Sequence, residues 1–149
     1  MTQRLAVSAL AGVLLLAAGS GLTGCAAYND AVHHFADDTY GDAVAARDAL
    51  GPGAKWIPDD AAEIRTRTST RGDPDAVVQF VSGSPLDPEL CAPGPRMSGA
   101  AWYFGDSPDV YALTDAYVCG EWTAVATDDG WLGWTPNSAA ERDAAGTAG

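Results

Sequence analysis

Basic residues, histidine and cysteine are all scarce in this 149-residue chain. Lysine and arginine together number 8 against 20 acidic residues, which gives a formal net charge of −12 at pH 7. Because proteins bind phosphate groups through Lys and Arg side chains that neutralise them, this balance argues against nucleic acid as a partner. It also argues against electrostatic attraction to an anionic membrane surface.

The chain has only 2 histidines, His33 and His34, which are adjacent in an acidic, Ala-rich segment. A Ser-His-Asp triad is therefore not credible, and the sequence contains neither a metal-ligand signature nor a Gly-rich phosphate loop. We expect no cofactor and no metal. An enzyme is accordingly the less favoured class of function.

Long hydrophobic runs are also missing, apart from one near the N-terminus. Arg4 precedes an apolar run from Leu5 to Ala18, and this run breaks at Gly19-Ser20-Gly21. A helix that spans the hydrocarbon needs roughly 20 apolar residues, which is more than this run supplies. A basic residue followed by a short apolar run is typical of a secretory leader.

The residues that follow this run are Leu22-Thr23-Gly24-Cys25. They resemble the lipobox of bacterial lipoprotein precursors, in which an obligatory Cys follows a small residue. The resemblance implies that a diacylglycerol is attached to the thiol of Cys25, that the chain is cut before Cys25, and that the protein lies on the outer face of the plasma membrane. Two acyl chains are enough for stable anchoring. The alternative is an ordinary signal peptide in which Cys25 is incidental.

The other two cysteines, Cys91 and Cys119, are expected to form a disulfide, because an extracytoplasmic protein folds in an oxidising environment. A reactive thiol and a metal-binding pair remain as alternatives, although no histidine lies near either cysteine in the sequence.

We expect four parts along the chain: a signal peptide at 1–24, which the lipobox resemblance implies, an acidic tether with a short helix at 25–53, a β-rich domain at 54–136 and a disordered tail at 137–149. The short helix is predicted at Ala43 to Leu50, where Gly51 and Pro52 end it.

The fold class predicted for the β-rich part is α+β, with a small antiparallel sheet and one or two helices on its N-terminal side. Alternating residues and turn signals indicate about six strands. They are predicted at 64–70, 76–81, 101–104, 110–119, 121–126 and 131–135, with a proline-rich loop at 82–98. The run Trp56-Ile57-Pro58-Asp59-Asp60-Ala61, placed before a strand, is similar to that in small uncharacterised lipoproteins of high-GC Gram-positive bacteria.

Aromatic residues crowd the β-rich part more densely than one face of a small core accommodates. The candidate binding face consists of Trp102, Trp122, Trp131 and Trp134. Exposed aromatic rings stack on sugars or peptides, so these residues predict a binding or accessory module for an envelope protein or a wall glycan. The alternative is that they fill the core.

A different class of function is a cell-wall glycan hydrolase that uses paired carboxylates. The candidates are Asp106 or Glu121 together with Asp128. Glycoside hydrolysis requires two carboxyl groups that flank one bond within a cleft.

Overall fold

A computed structural model describes Tyr28 and residues 30–147. The predicted leader, its cleavage site and Cys25 lie outside these residues. The described elements are the strands β1 (Phe35–Tyr40), β2 (Ala62–Ser69), β3 (Ala76–Val81), β4 (Ala92–Pro95), β5 (Asp115–Cys119), β6 (Trp122–Ala126) and β7 (Gly130–Thr135), the helices α1 (Ala43–Leu50) and α2 (Ala139–Thr147), and two short 3₁₀ turns at Pro52–Ala54 and Val110–Ala112.

The strands form one antiparallel sheet in the order β1-β2-β3-β7-β6-β5-β4. Short turns join β2 to β3, β5 to β6 and β6 to β7 as hairpins, whereas α1 lies in the longer connection between the paired strands β1 and β2. The pairing of β3 with β7 joins the two halves, with Val77 opposite Trp134. Because successive side chains of a strand point to opposite faces, β3 and β7 supply apolar groups to both sides of the sheet.

Each face of the sheet has its own apolar cluster. On one face, α1 and the segment that follows it cover the sheet, and Trp56, Ile64 and Phe80 lie in that cluster. On the other face, the loop between β4 and β5 covers Val77, Leu132 and Trp134. Coverage of both faces explains why β3, β6 and β7 are apolar along much of their length rather than strictly alternating.

The antiparallel α+β class predicted from the sequence is confirmed, with seven strands rather than about six. Helix α1 begins and ends where its sequence predicts. The Asp42 side chain accepts a hydrogen bond from the backbone N–H of Ala45 at its start, and Gly51 adopts a φ of 85° after its last residue. Both are standard helix-end signals.

The predicted strand at 101–104 is wrong. These residues have no strand partner and instead lie across one face of the sheet, where Tyr103 and Phe104 pack against the apolar cluster. The Arg67 guanidinium donates a hydrogen bond to the backbone oxygen of Tyr103, with an N–O distance of 2.9 Å. An aromatic run thus serves as a cover for the sheet, which sequence alternation alone does not distinguish from a strand.

Residues 35–40, which the sequence assigns to a tether, form the edge strand β1. Its six residues pair in register with β2, from Phe35 opposite Ser69 to Tyr40 opposite Ile64. The Asp37 carboxylate accepts two hydrogen bonds from the Arg67 guanidinium, at 2.6 and 3.0 Å. The partner strand therefore selects the extended conformation of an acidic segment that lacks strong β propensity by itself.

Residues 139–147 form helix α2 where the sequence predicts a disordered tail. The Ser138 hydroxyl accepts a hydrogen bond from the Glu141 N–H, and the Glu141 carboxylate accepts one from the Ser138 N–H. This reciprocal pair is a capping box, and its Ser-x-x-Glu spacing is a readable sequence signal for a helix N-terminus.

The sulfur atoms of Cys91 and Cys119 are 2.03 Å apart, at the length of a disulfide bond. Cys91 lies just before β4, and Cys119 is the last residue of β5. The bridge therefore fixes the proline-rich segment to the sheet. Within it, residues 92–95 form the short edge strand β4 rather than a loop.

Among the described residues, none of the helices has the length and apolar character needed to cross a bilayer.

Candidate functional site

A cleft of about 580 Å³ opens at one end of the sheet, on the face covered by the β4–β5 loop. Ligand pockets typically have volumes of about 300 to 1,000 Å³. The lining combines apolar groups with a majority of polar ones and comes from β2, β3, the end of β6, the β6–β7 turn and the β4–β5 loop. Its residues are Glu63, Arg65, Gln79, Phe80, Val81, Asp106, Pro108, Leu113, Ala126, Thr127, Asp128 and Asp129.

An irregularity in β2 forms one wall of the cleft. Between Ala62, opposite Val81, and Arg65, opposite Gln79, β2 contains one residue more than β3. Glu63 lies at this bulge with a φ of 50°, in the left-handed region that non-glycine residues seldom occupy. Bulges redirect side chains and are common beside functional sites. Glu63 and Arg65 both line the cleft.

Arg65 is the central cation of the cleft. One of its guanidinium nitrogens donates a hydrogen bond to the carboxylate of Asp106 in the β4–β5 loop. The guanidinium carbon also lies 4.6 Å from the ring centroid of Phe104, so the charge stacks on an aromatic face. The hydrogen bond from Arg65 lowers the pKa of Asp106, which keeps that carboxyl group ionised.

A second contact fixes the same loop to the sheet. The Ser107 hydroxyl donates to Oε1 of Gln79 at 2.8 Å, and it accepts from the backbone N–H of Phe104 at 3.1 Å. The cleft wall is therefore held at two adjacent points, through Arg65 to Asp106 and through Gln79 to Ser107. A ligand would meet a largely preformed site.

The β6–β7 turn forms the opposite wall. The Thr127 N–H donates to the oxygen of Gly130 at 2.9 Å, and the Ser82 N–H donates to the oxygen of Asp129 at 3.0 Å. These backbone bonds fix the turn and leave the carboxylates of Asp128 and Asp129 exposed. The Asp-Gly pair that predicts this hairpin thus also supplies part of the cleft.

The four tryptophans of the predicted binding face do not form one surface. Trp134 is fully buried, and its Nε1 donates to the hydroxyl of Ser98 at 2.9 Å. Trp122 is also buried, on the other side of the sheet, with its ring centroid 5.8 Å from that of Trp56. These two residues belong to the core.

The remaining two tryptophans are half-buried, and the ring of each packs against another aromatic ring. The Trp131 Nε1 donates to the Ser84 oxygen at 3.1 Å, and its ring meets the edge of Tyr117 at 5.5 Å. Trp102 packs edge-on against Phe35, with centroids 5.5 Å apart. Trp131 and Trp102 contact different parts of the fold, so the two rings do not form a continuous aromatic row.

The predicted carboxylate pairs have different outcomes. Asp106 and Asp128 both line the cleft. Glu121 does not line it, because it lies in the β5–β6 turn, at the other end of β6 from Asp128. Sequence analysis did not identify Glu63 or Arg65 as site residues; the only local signal is a charged pair at i and i+2, of which Arg65 lies within the predicted strand at 64–70 and Glu63 just before it.

Comparison of the chain with protein-family models, with curated proteins and with solved structures finds no match. Within the residues that the structure describes, no group of three or more His, Cys, Asp or Glu side chains is placed to hold a metal ion.

Proposed function

We propose that this chain is a lipid-anchored binding module of the bacterial cell envelope, attached by a diacylglycerol on Cys25, and that its ligand occupies the cleft. The observation that carries the proposal is the cleft itself, which combines apolar groups with fixed polar ones. The partner remains the one expected from the sequence, an envelope protein or a wall glycan. The binding surface is now the cleft rather than an aromatic face, because Trp122 and Trp134 are core residues.

The polar lining favours a ligand that donates hydrogen bonds. Glu63, Asp106, Asp128 and Asp129 present carboxylate oxygens, and Arg65 is already paired with Asp106. Hydrogen bonds to charged groups contribute about 1.5 to 3 kcal/mol each. We therefore expect amine or hydroxyl groups, such as those of a glycan or of a basic peptide segment, to meet this wall.

A glycan hydrolase remains the second candidate, since Asp106 and Asp128 line one cleft. Such an enzyme needs a general acid whose pKa is raised so that it stays protonated. The hydrogen bond from Arg65 lowers the pKa of Asp106 instead, so this carboxylate stays ionised, which suits a group that accepts hydrogen bonds from a ligand better than a proton donor. Asp106 therefore does not supply the protonated acid, and binding stays the first proposal.

The test uses solubilised, amine-bearing fragments of wall glycan and isothermal titration calorimetry. We expect wild type to bind and Asp128→Asn to lose about 10- to 100-fold in affinity, which corresponds to one charged hydrogen bond. Glu121→Gln is the matched control, because Glu121 is exposed but lies outside the cleft.

Equal affinities for Asp128→Asn and Glu121→Gln would contradict the placement of the site in the cleft. Mass spectrometry of the same fragments after incubation separates the two candidates. Cleaved products that disappear in Asp106→Asn would favour the hydrolase.

A further inference from the structure

The first described residues, Tyr28 and 30–33, include exposed apolar side chains, and contacts with the sheet hold them in place. Residues 30–33 are helical, and the side chains of Tyr28 and Val32 are 60% and 49% exposed. Removing apolar side chains from water lowers the free energy, so a tyrosine and a valine exposed this close to the proposed lipid anchor suggest a surface that covers them.

A chain of aromatic contacts ties this segment to the sheet. The Tyr28 ring meets the edge of the His33 ring at 6.1 Å, and His33 stacks on Phe35 at 5.7 Å. Phe35 in turn meets Trp102 edge-on at 5.5 Å. The backbone N–H of Thr70 donates to the His34 oxygen at 3.0 Å. The direction in which the chain enters the domain is therefore set by packing.

The distance from the anchor is short. Tyr28 follows Cys25 by three residues, and three fully extended residues span at most about 11 Å. The polar headgroup layer on each side of a bilayer is about 5 to 8 Å thick. If Cys25 carries lipid, Tyr28 must lie in or just above that layer, and Val32 lies one helical turn further along the chain.

The register of the sheet then fixes which end points away from the bilayer. β1 starts at Phe35, opposite Ser69, and ends at Tyr40, opposite Ile64. The cleft residues Glu63 and Arg65 lie at that second end of β2. Five steps along the strand lead from Phe35 to Tyr40, which is about 17 Å.

We propose that the side chains of Tyr28 and Val32 rest on the headgroup layer of the bilayer to which the chain is anchored, and that this contact presents the cleft away from the membrane. This inference rests on the proposed lipid anchor. Tyrosine is favoured at such interfaces because its ring is apolar and its hydroxyl stays hydrated. The Asp30 carboxylate on the same turn keeps the contact at headgroup level rather than deeper.

The experiment uses the full lipidated chain in phosphatidylcholine vesicles, because the strongly acidic chain, with 20 acidic residues and, once Arg4 is cut off with the leader, 8 − 1 = 7 basic ones, would be repelled by anionic lipid. Val32→Cys and Val44→Cys are each labelled with a nitroxide. Both are exposed valines, and Val44 lies in the first turn of α1, beyond the far end of β1. With Cys91 and Cys119 joined and Cys25 lipidated, the introduced thiol is the only one to label.

Electron paramagnetic resonance then compares collisions of each label with oxygen, which is concentrated in the bilayer, and with a water-soluble nickel chelate. We expect the label at position 32 to favour oxygen and the label at position 44 to favour the chelate. Insertion of ten Gly and Ser residues between Cys25 and Tyr28 should weaken the oxygen preference at position 32.

Three results overturn the inference, and they differ in what they say about the anchor. A lipidated chain with both labels in water, or with both equally at the membrane, refutes the orientation and leaves the anchored module intact. Intact mass without a diacylglycerol on Cys25 refutes the anchor and the orientation together.

Discussion

Glu141 offers the sharpest test of how this fold is held together, because it is a fully buried carboxylate at the start of α2. Its Oε1 accepts a hydrogen bond from the Met97 N–H at 2.8 Å, and its Oε2 accepts one from the Ser138 N–H at 3.0 Å. These bonds connect the segment after β4 to the C-terminal helix. Burial by itself would raise the pKa of Glu141, but hydrogen bonds from Ser98, Met97 and Ser138 outweigh it and lower the pKa.

We expect Glu141→Ala to reduce the free energy of unfolding by about 3 to 6 kcal/mol, since two backbone donors each lose a charged acceptor worth about 1.5 to 3 kcal/mol. Glu141→Gln keeps one carbonyl oxygen but turns an NH₂ group toward a backbone N–H, so it should lose about half as much. Urea unfolding followed by tryptophan fluorescence measures both values. Glu89→Gln is the control, because Glu89 is exposed and such surface changes stay within about 0.5 kcal/mol.

The sign of the pH dependence follows from the lowered pKa. The folded state binds the Glu141 proton less readily than the unfolded chain, whose ordinary pKa is 4.5. The stabilisation is therefore complete above that value and is lost as the pH falls through the folded pKa. The difference in the free energy of unfolding between wild type and Glu141→Gln should narrow below about pH 4.5. A variant as stable as wild type at pH 7, or a difference that does not narrow in acid, would refute this account of Glu141.

Three further predictions concern packing and covalent structure. Trp134→Ala should cost about 3 to 5 kcal/mol, because the ring is fully buried, and a melting temperature close to wild type would contradict its place in the core. Gly133→Ala should be destabilising by about 1 to 3 kcal/mol, because a Cβ there would lie 2.5 Å from the Trp56 ring. Gly146→Ala, with nothing within 4 Å, should be neutral or stabilising in the same urea titration. Reduction of the Cys91–Cys119 bridge should lower stability by about 3 to 4 kcal/mol, measured by urea unfolding with and without reductant.

Local signals in the sequence were sufficient wherever a segment's own residues fix its structure. Helix α1 is one case, since Asp42 caps its start and Gly51 follows its end. Strand β3 and the Asp-Gly hairpin between β6 and β7 are others, because β-branched residues and a tight turn favour those conformations without help from distant parts. The lipobox at Leu22 to Cys25 belongs to the same kind of signal, and its consequence for location stays a prediction.

Tertiary structure decided what depends on distant partners. β1 is a strand because β2 pairs with it, and 101–104 is not a strand because Arg67 and the apolar cluster hold it across a face. The site shows the same division. Carboxylates at 106 and 128 are visible in the sequence, but only the strand pairing and the Arg65 to Asp106 contact bring them to one cleft. Tryptophan count alone likewise does not separate core from surface, because burial is set by which rings the opposite strands and loops cover.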